Sequence, residues 1–140
     1  MVALLDSVVV AGFLDRADSF HPAADRRVRE LAGGDVLIAS VITYAELLTG
    51  AGRGHHAQAA VRGFFDDLIA VVYDVDRPVA ERAAELRATT PSLRMPDALI
   101  LATADLRTAD VILTGDHRWA DVDVAPPVEL LDAGGSPGLD

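Results

Sequence analysis

Short apolar runs alternate along the chain with longer stretches in which apolar residues return every three or four positions. The runs at 2–5, 36–39, 69–73 and 111–113 are rich in Val, Ile and Leu. They end against Asp6, Ser40, Asp74 and Thr114, as strands closed by turn-forming residues do. Residues 122–124 are a candidate last strand, stopped by Pro126-Pro127. Between the runs the period changes. Residues 8–14 form a short helical segment, and His21-Pro22 opens a helix with Ala24, Val28 and Leu31 on one face, closed by Gly33-Gly34. Ser40 caps a helix reaching about Gly50, and 56–68 carries Ala60, Phe64 and Leu68 at fourfold spacing. Arg77-Pro78 starts a helix bearing Val79, Ala83 and Leu86, and Pro96 stands in the first turn of a strongly apolar helix over 97–106. Strands alternating with helices predict an α/β fold built on a mainly parallel sheet.

At 140 residues, 51% of them hydrophobic, the chain is long enough for one self-sufficient core and too apolar for disorder. One domain is expected over 1–132, with Ala133-Gly134-Gly135-Ser136-Pro137-Gly138-Leu139-Asp140 as a flexible tail. No uncharged apolar run is long enough to span a membrane, and Asp6 follows the start without a basic lead, so a secretory leader is not expected. Cysteine is absent, which removes disulfides, zinc thiolates, iron–sulfur clusters and thiol catalysis, and makes a cytoplasmic protein the default.

Charge narrows the chemistry further. Acids outnumber bases 22 to 12, for a net charge of −10, and every base is Arg. Without Lys there is no Walker-type phosphate loop and no Schiff-base chemistry. The acidic balance also argues against broad coating of nucleic acid. In open parallel sheets ligands bind beyond the carboxyl ends of the strands, and three candidate strands end in or just before an acid: Asp6, Asp74 and Asp116. Each has an ordinary reading as well, Asp6 as a helix cap and Asp116 as a turn residue. Glu46 lies inside the otherwise apolar Val41-Ile42-Thr43-Tyr44-Ala45-Glu46-Leu47-Leu48, and its helical neighbours Ile42, Thr43, Thr49 and Gly50 are small or partly polar, as on a helix lining a cleft. Asp97 opens a helix apolar on nearly every face, where free N–H groups favour a carboxylate. Four carboxylates converging on one cleft repel one another unless a cation neutralises them, and all-oxygen ligands favour Mg²⁺ or Mn²⁺ over zinc. His55 and His56, read as adjacent helical residues about 100° apart, cannot face one ion, and His117 is expected at the rim.

The blocks that hold these acids resemble the PIN-domain ribonucleases, specifically the VapC-type toxins of bacterial toxin–antitoxin pairs. Leu4-Leu5-Asp6-Ser7 is similar to the opening strand of that family, and Ser40-Val41-Ile42-Thr43-Tyr44-Ala45-Glu46-Leu47 to its second block. Pro96-Asp97-Ala98-Leu99-Ile100-Leu101-Ala102-Thr103-Ala104 is the most specific match, and Leu113-Thr114-Gly115-Asp116-His117-Arg118-Trp119 resembles the closing block. The resemblance implies a three-layer α/β/α sandwich and a Mg²⁺-dependent endoribonuclease, with Mn²⁺ able to substitute. It implies that Asp6, Glu46, Asp97 and Asp116 are the catalytic acids and that Asp6 and Asp97 bind the ion directly. Asp116 completes the metal site, Glu46 orients or deprotonates water, and Thr114 supports the cluster. Two positions depart from the family pattern: Val8 stands where a small polar residue is usual, and Gly115 where Asn is.

The resemblance also implies a VapB-type antitoxin as partner, docking a helix and an Arg into the acidic pocket, and a homodimer. Apolar residues in 8–14 with Phe64 and Phe65 are divided between core and such contacts. RNA must be met by local basic groups: Arg16, Arg26, Arg27 and Arg29 as a stripe, and Arg53, Arg94 and Arg118 beside the acidic blocks. Weak overall attraction favours a structured RNA. Two rival readings are a catalytically silent PIN-like binding module and a small Mg²⁺-dependent phosphatase, the latter opposed by the missing Lys.

Overall fold

A computed structural model describes residues 1–133. The tail expected over 133–140 lies, apart from Ala133, outside the described residues. Five strands form one sheet: β1 (Val2–Leu5), β2 (Val36–Ser40), β3 (Val71–Tyr73), β4 (Val111–Thr114) and β5 (Val128–Leu130). Their order is β3-β2-β1-β4-β5, and every pairing is parallel. β1 is therefore central, with Leu4 opposite Ile38 on one side and Ile112 on the other. All carboxyl ends point the same way.

Six helices make the crossovers: α1 (Ser7–Leu14), α2 (His21–Ala32), α3 (Val41–Gly52), α4 (Gln58–Leu68), α5 (Arg77–Thr89) and α6 (Met95–Leu106). Strand alternation splits the core into two layers. Ala3, Leu5, Leu37, Ala39 and Leu113 face α1, α2 and α4, while Leu4, Ile38 and Ile112 face α5 and α6. α3 serves both, giving Leu47 to the first cluster and packing Ile42 against the second. The result is a three-layer α/β/α sandwich. Phe64 and Phe65 belong to its core: both are buried, Phe64 meets Phe13 edge-on at 5.3 Å and Phe65 meets Tyr44 at 4.7 Å.

Local chemistry sets the helix starts. The Ser40 hydroxyl accepts the Ile42 amide at 3.1 Å, Asp76 accepts the Val79 amide at 3.0 Å, and Pro stands in the first turn of α2, α5 and α6. Two strand expectations are corrected. Residues 122–124 form no strand: Val122 and Val124 pack on the α5–α6 layer beyond a short 3-10 helix, His117–Asp121. The last strand instead follows the proline pair, with the Pro127 carbonyl accepting the Ile112 amide at 2.9 Å, because an edge position spares Pro the donor it lacks. β3 begins at Val71 rather than at 69, since Ile69 caps α4 and is buried beneath it. Among the described residues no helix is long and apolar enough to cross a membrane.

Candidate active site

Asp6 ends the central strand and caps α1 at the same time. Its Oδ1 accepts the Ser7 amide at 2.7 Å and its Oδ2 accepts the Thr114 hydroxyl at 2.7 Å. Thr114, buried at the end of β4, also accepts the Asp116 amide on its Oγ1 at 3.0 Å, so one hydroxyl ties the two acidic turns together. Asp116 in turn caps the 3-10 helix, taking the Arg118 amide at 3.0 Å. The Arg118 guanidinium spans both of its oxygens, Nε to Oδ1 at 3.0 Å and Nη2 to Oδ2 at 2.6 Å.

Helices bring the other two acids. α3 carries Glu46 to the same edge, half-buried, with Oε1 shielded and without a hydrogen-bond partner in the protein. α6 points its amino end there and presents Asp97, 7% exposed, whose Oδ2 lies 3.4 Å from Arg94 Nε. All four acids line one cleft of about 510 Å³, joined by Ser7, Val8, Arg94, Gly115 and His117. Four segments far apart in sequence meet because a parallel sheet collects its strand ends on one side.

Burial dominates the electrostatics. It pushes the Asp6 carboxyl up to about 6; the Thr114 and Ser7 hydrogen bonds oppose the rise, and the charges of Glu46 and Asp97 add to it. Glu46 is raised for the same first reason, with Ser7 and Arg94 offsetting part and Asp97 adding to it. Asp116 goes the other way, held low by Arg118.

A donor set dominated by four carboxylates, one shielded oxygen without a partner and one acid whose charge burial disfavours together fit a hard divalent cation such as Mg²⁺ or Mn²⁺. Among the described residues, no three acidic or imidazole groups stand close enough together to hold an ion as they are oriented. Asp116 is turned to Arg118 and Asp97 to Arg94, so ligation would need these side chains to rotate.

The remaining expectations sort plainly. Asp74, at the end of edge strand β3, is exposed and outside the cleft. His55 and His56 lie in the turn before α4, not on the helix, and line a separate hollow with Asp15 and Asp18. The early Arg stripe is partly spent on ion pairs: Arg27 with Glu129 at 2.8 Å and Arg29 with Asp25 at 2.9 Å. Arg53 stays outside the cleft, while Arg94 lines it and Arg118 grips it through Asp116. Phe20, which packs behind the site, was not legible in the sequence. Its ring fills the space beside Gly115, with ring carbons 2.6 and 2.7 Å from where a Cβ would stand, which explains why this turn has no side chain at 115. The only trace of it in the sequence is that glycine.

The PIN-domain family model matches residues 3–125. No curated protein matches the sequence. Among solved structures, a chain in VapBC2 from Rickettsia felis bound to a promoter DNA fragment superposes with a TM-score of 0.76 at 17% identity, covering 94% of this chain and all of that one. A chain of a toxin–antitoxin complex from Klebsiella pneumoniae gives 0.68 at 26% identity, over 86% of this chain and 92% of that one. A chain of VapBC-5 from Mycobacterium tuberculosis, a member of the VapBC family of toxin–antitoxin systems, gives 0.62 at 26% identity, over 93% and 97%. With its sheet order, its acidic cleft and a match across most of its length, the chain belongs to the PIN-domain family.

Proposed function

We propose that the protein is a Mg²⁺-dependent endoribonuclease, the toxin of a toxin–antitoxin pair, cleaving a structured RNA. The observation that carries this reading is the meeting of Asp6, Glu46, Asp97 and Asp116 in one open cleft at the carboxyl edge of a parallel sheet. Asp6 and Asp97 would hold the ion directly and Asp116 would complete the set. A bound divalent ion polarises a phosphodiester and makes water a stronger nucleophile near neutral pH.

The chain's own groups do the rest. Thr114 and Ser7 fix the Asp6 carboxylate from both sides, so its orientation needs no reorganisation when substrate arrives. Glu46 offers a shielded, unpartnered Oε1, and its raised proton affinity suits a base that takes a proton from the attacking water at ordinary pH. Arg94 supplies positive charge at the cleft for the phosphate that the net charge of the protein would otherwise repel.

Similarity to chains from toxin–antitoxin complexes supports an antitoxin partner. A mostly apolar groove of about 370 Å³ between α1 and α4, lined by Phe13, Leu14, Ala60, Phe64 and Leu68 with Asp67 at its side, suits one face of an amphipathic helix, and an Arg from the same partner would complement the acidic cleft. A homodimer belongs to the same reading. The test is induced expression of the chain and of Asp97→Asn, with sequencing of RNA ends. Growth arrest with discrete new ends in the parent alone is expected. No new ends in either would leave a module that binds a partner without cutting.

A further inference from the structure

The Arg118–Asp116 pair is more than the turn requires. Asp116 is already oriented without the guanidinium, since its amide is held by Thr114 Oγ1 at 3.0 Å and its Oδ1 takes the Arg118 backbone amide at 3.0 Å. The fork on both carboxylate oxygens is a second layer of contacts from a side chain 68% exposed. With the guanidinium 68% and the carboxylate 24% exposed, solvent screens the pair and lowers the cost of breaking it. A guanidinium fork binds a phosphodiester with the same geometry as a carboxylate.

We propose that Arg118 is a substrate-positioning residue of the cleft and works by exchange: its guanidinium leaves Asp116 when that carboxylate turns to a divalent cation, and then grips an RNA phosphate at the mouth of the cleft. This rests on the nuclease reading and adds to it which base holds the RNA and what that base competes with. Arg94 does not fit the role as well. Its single contact with Asp97 is 3.4 Å long, so moving it frees no well-bound carboxylate.

Exchange has a signature that a structural role lacks, because one substitution must move two affinities in opposite directions. Arg118→Gln removes the competitor, so Mn²⁺ measured by titration calorimetry without RNA should bind about two- to fivefold more tightly, the range set by an exposed ion pair. In the presence of Ca²⁺, a fluorescein-labelled hairpin RNA should bind the same variant more weakly. Its log–log salt dependence should fall by roughly one, as for one lost phosphate contact. Arg118→Lys should keep the salt slope but lose affinity, having charge without the fork. Mn²⁺ affinity unchanged or weakened in Arg118→Gln, or an unaltered RNA salt slope, overturns the exchange. If the parent binds no Mn²⁺ at all, the nuclease reading falls with it. If the parent binds Mn²⁺ and Asp97→Asn does not, the nuclease reading stands, and an unchanged Arg118→Gln then overturns the exchange alone.

Discussion

Asp6→Asn should stabilise the protein at neutral pH when divalent ions are chelated, although it removes the residue on which the site is centred. The Asp6 side chain is 6% exposed and its carboxyl is pushed up from 3.8 to about 6, chiefly by burial. A raised carboxyl means that protonation stabilises the native state: the gain is complete below about 3.8 and is lost as pH rises through about 6. Above that, the native state carries a charge that the unfolded chain solvates better, a penalty of about 3 kcal/mol for this rise. Asn is nearly isosteric and has no charge. It can accept only one of the two hydrogen bonds that Asp6 takes from Ser7 and Thr114, a loss of about 1 kcal/mol. The net expectation is a gain of about 2 kcal/mol at about pH 7.5, shrinking below about 1 kcal/mol near pH 5 as the parent takes up its proton. Urea unfolding in EDTA at both pH values measures it. Equal or lower stability of Asp6→Asn at the higher pH would refute the claim that burial strains this carboxylate.

Three further outcomes follow from the same geometry. Saturating Mn²⁺ should raise the stability of the parent by about 2.7 kcal/mol at a hundred times its Kd, and differential scanning fluorimetry should show no such rise for Asp97→Asn. Gly115→Ala should cost about 1–3 kcal/mol in a denaturant titration, because its Cβ would stand 2.6 Å from the Phe20 ring; Phe20→Leu in the same chain should recover part of that, and no cost would mean the ring is not wedged there. Thr114→Val should drive the Asp6 carboxyl above about 6, as followed by NMR titration, and destabilise by about 1.5–3 kcal/mol at neutral pH through loss of a hydrogen bond to a charged group.

The alternation of apolar runs and amphipathic stretches was enough to place four strands and all six helices, because period and capping are local properties of the chain. It failed at 122–124, where two valines spaced as in a strand pack on a helix layer, and at 128–130, where a proline pair hid an edge strand. Neither outcome depends on local preference. Both depend on which surface was left to cover once the other strands had paired.

The acids divide in the same way. Asp6, Glu46, Asp97 and Asp116 were each readable as candidates because a carboxylate in an apolar block or at a strand end is costly without a purpose. Asp74 carried the same local signal and is excluded only because its strand lies at the edge of the sheet. The six helices, four of the five strands, the donor chemistry and the blocks that resemble a known family were all legible along the chain. Tertiary structure alone decided that Phe20 stands in for a side chain at 115, that Thr114 links two acidic turns, and that Arg118 grips Asp116 on both oxygens. Those are contacts between atoms brought together by strand order and side-chain packing, and such distances are not written in the spacing of residues along the chain.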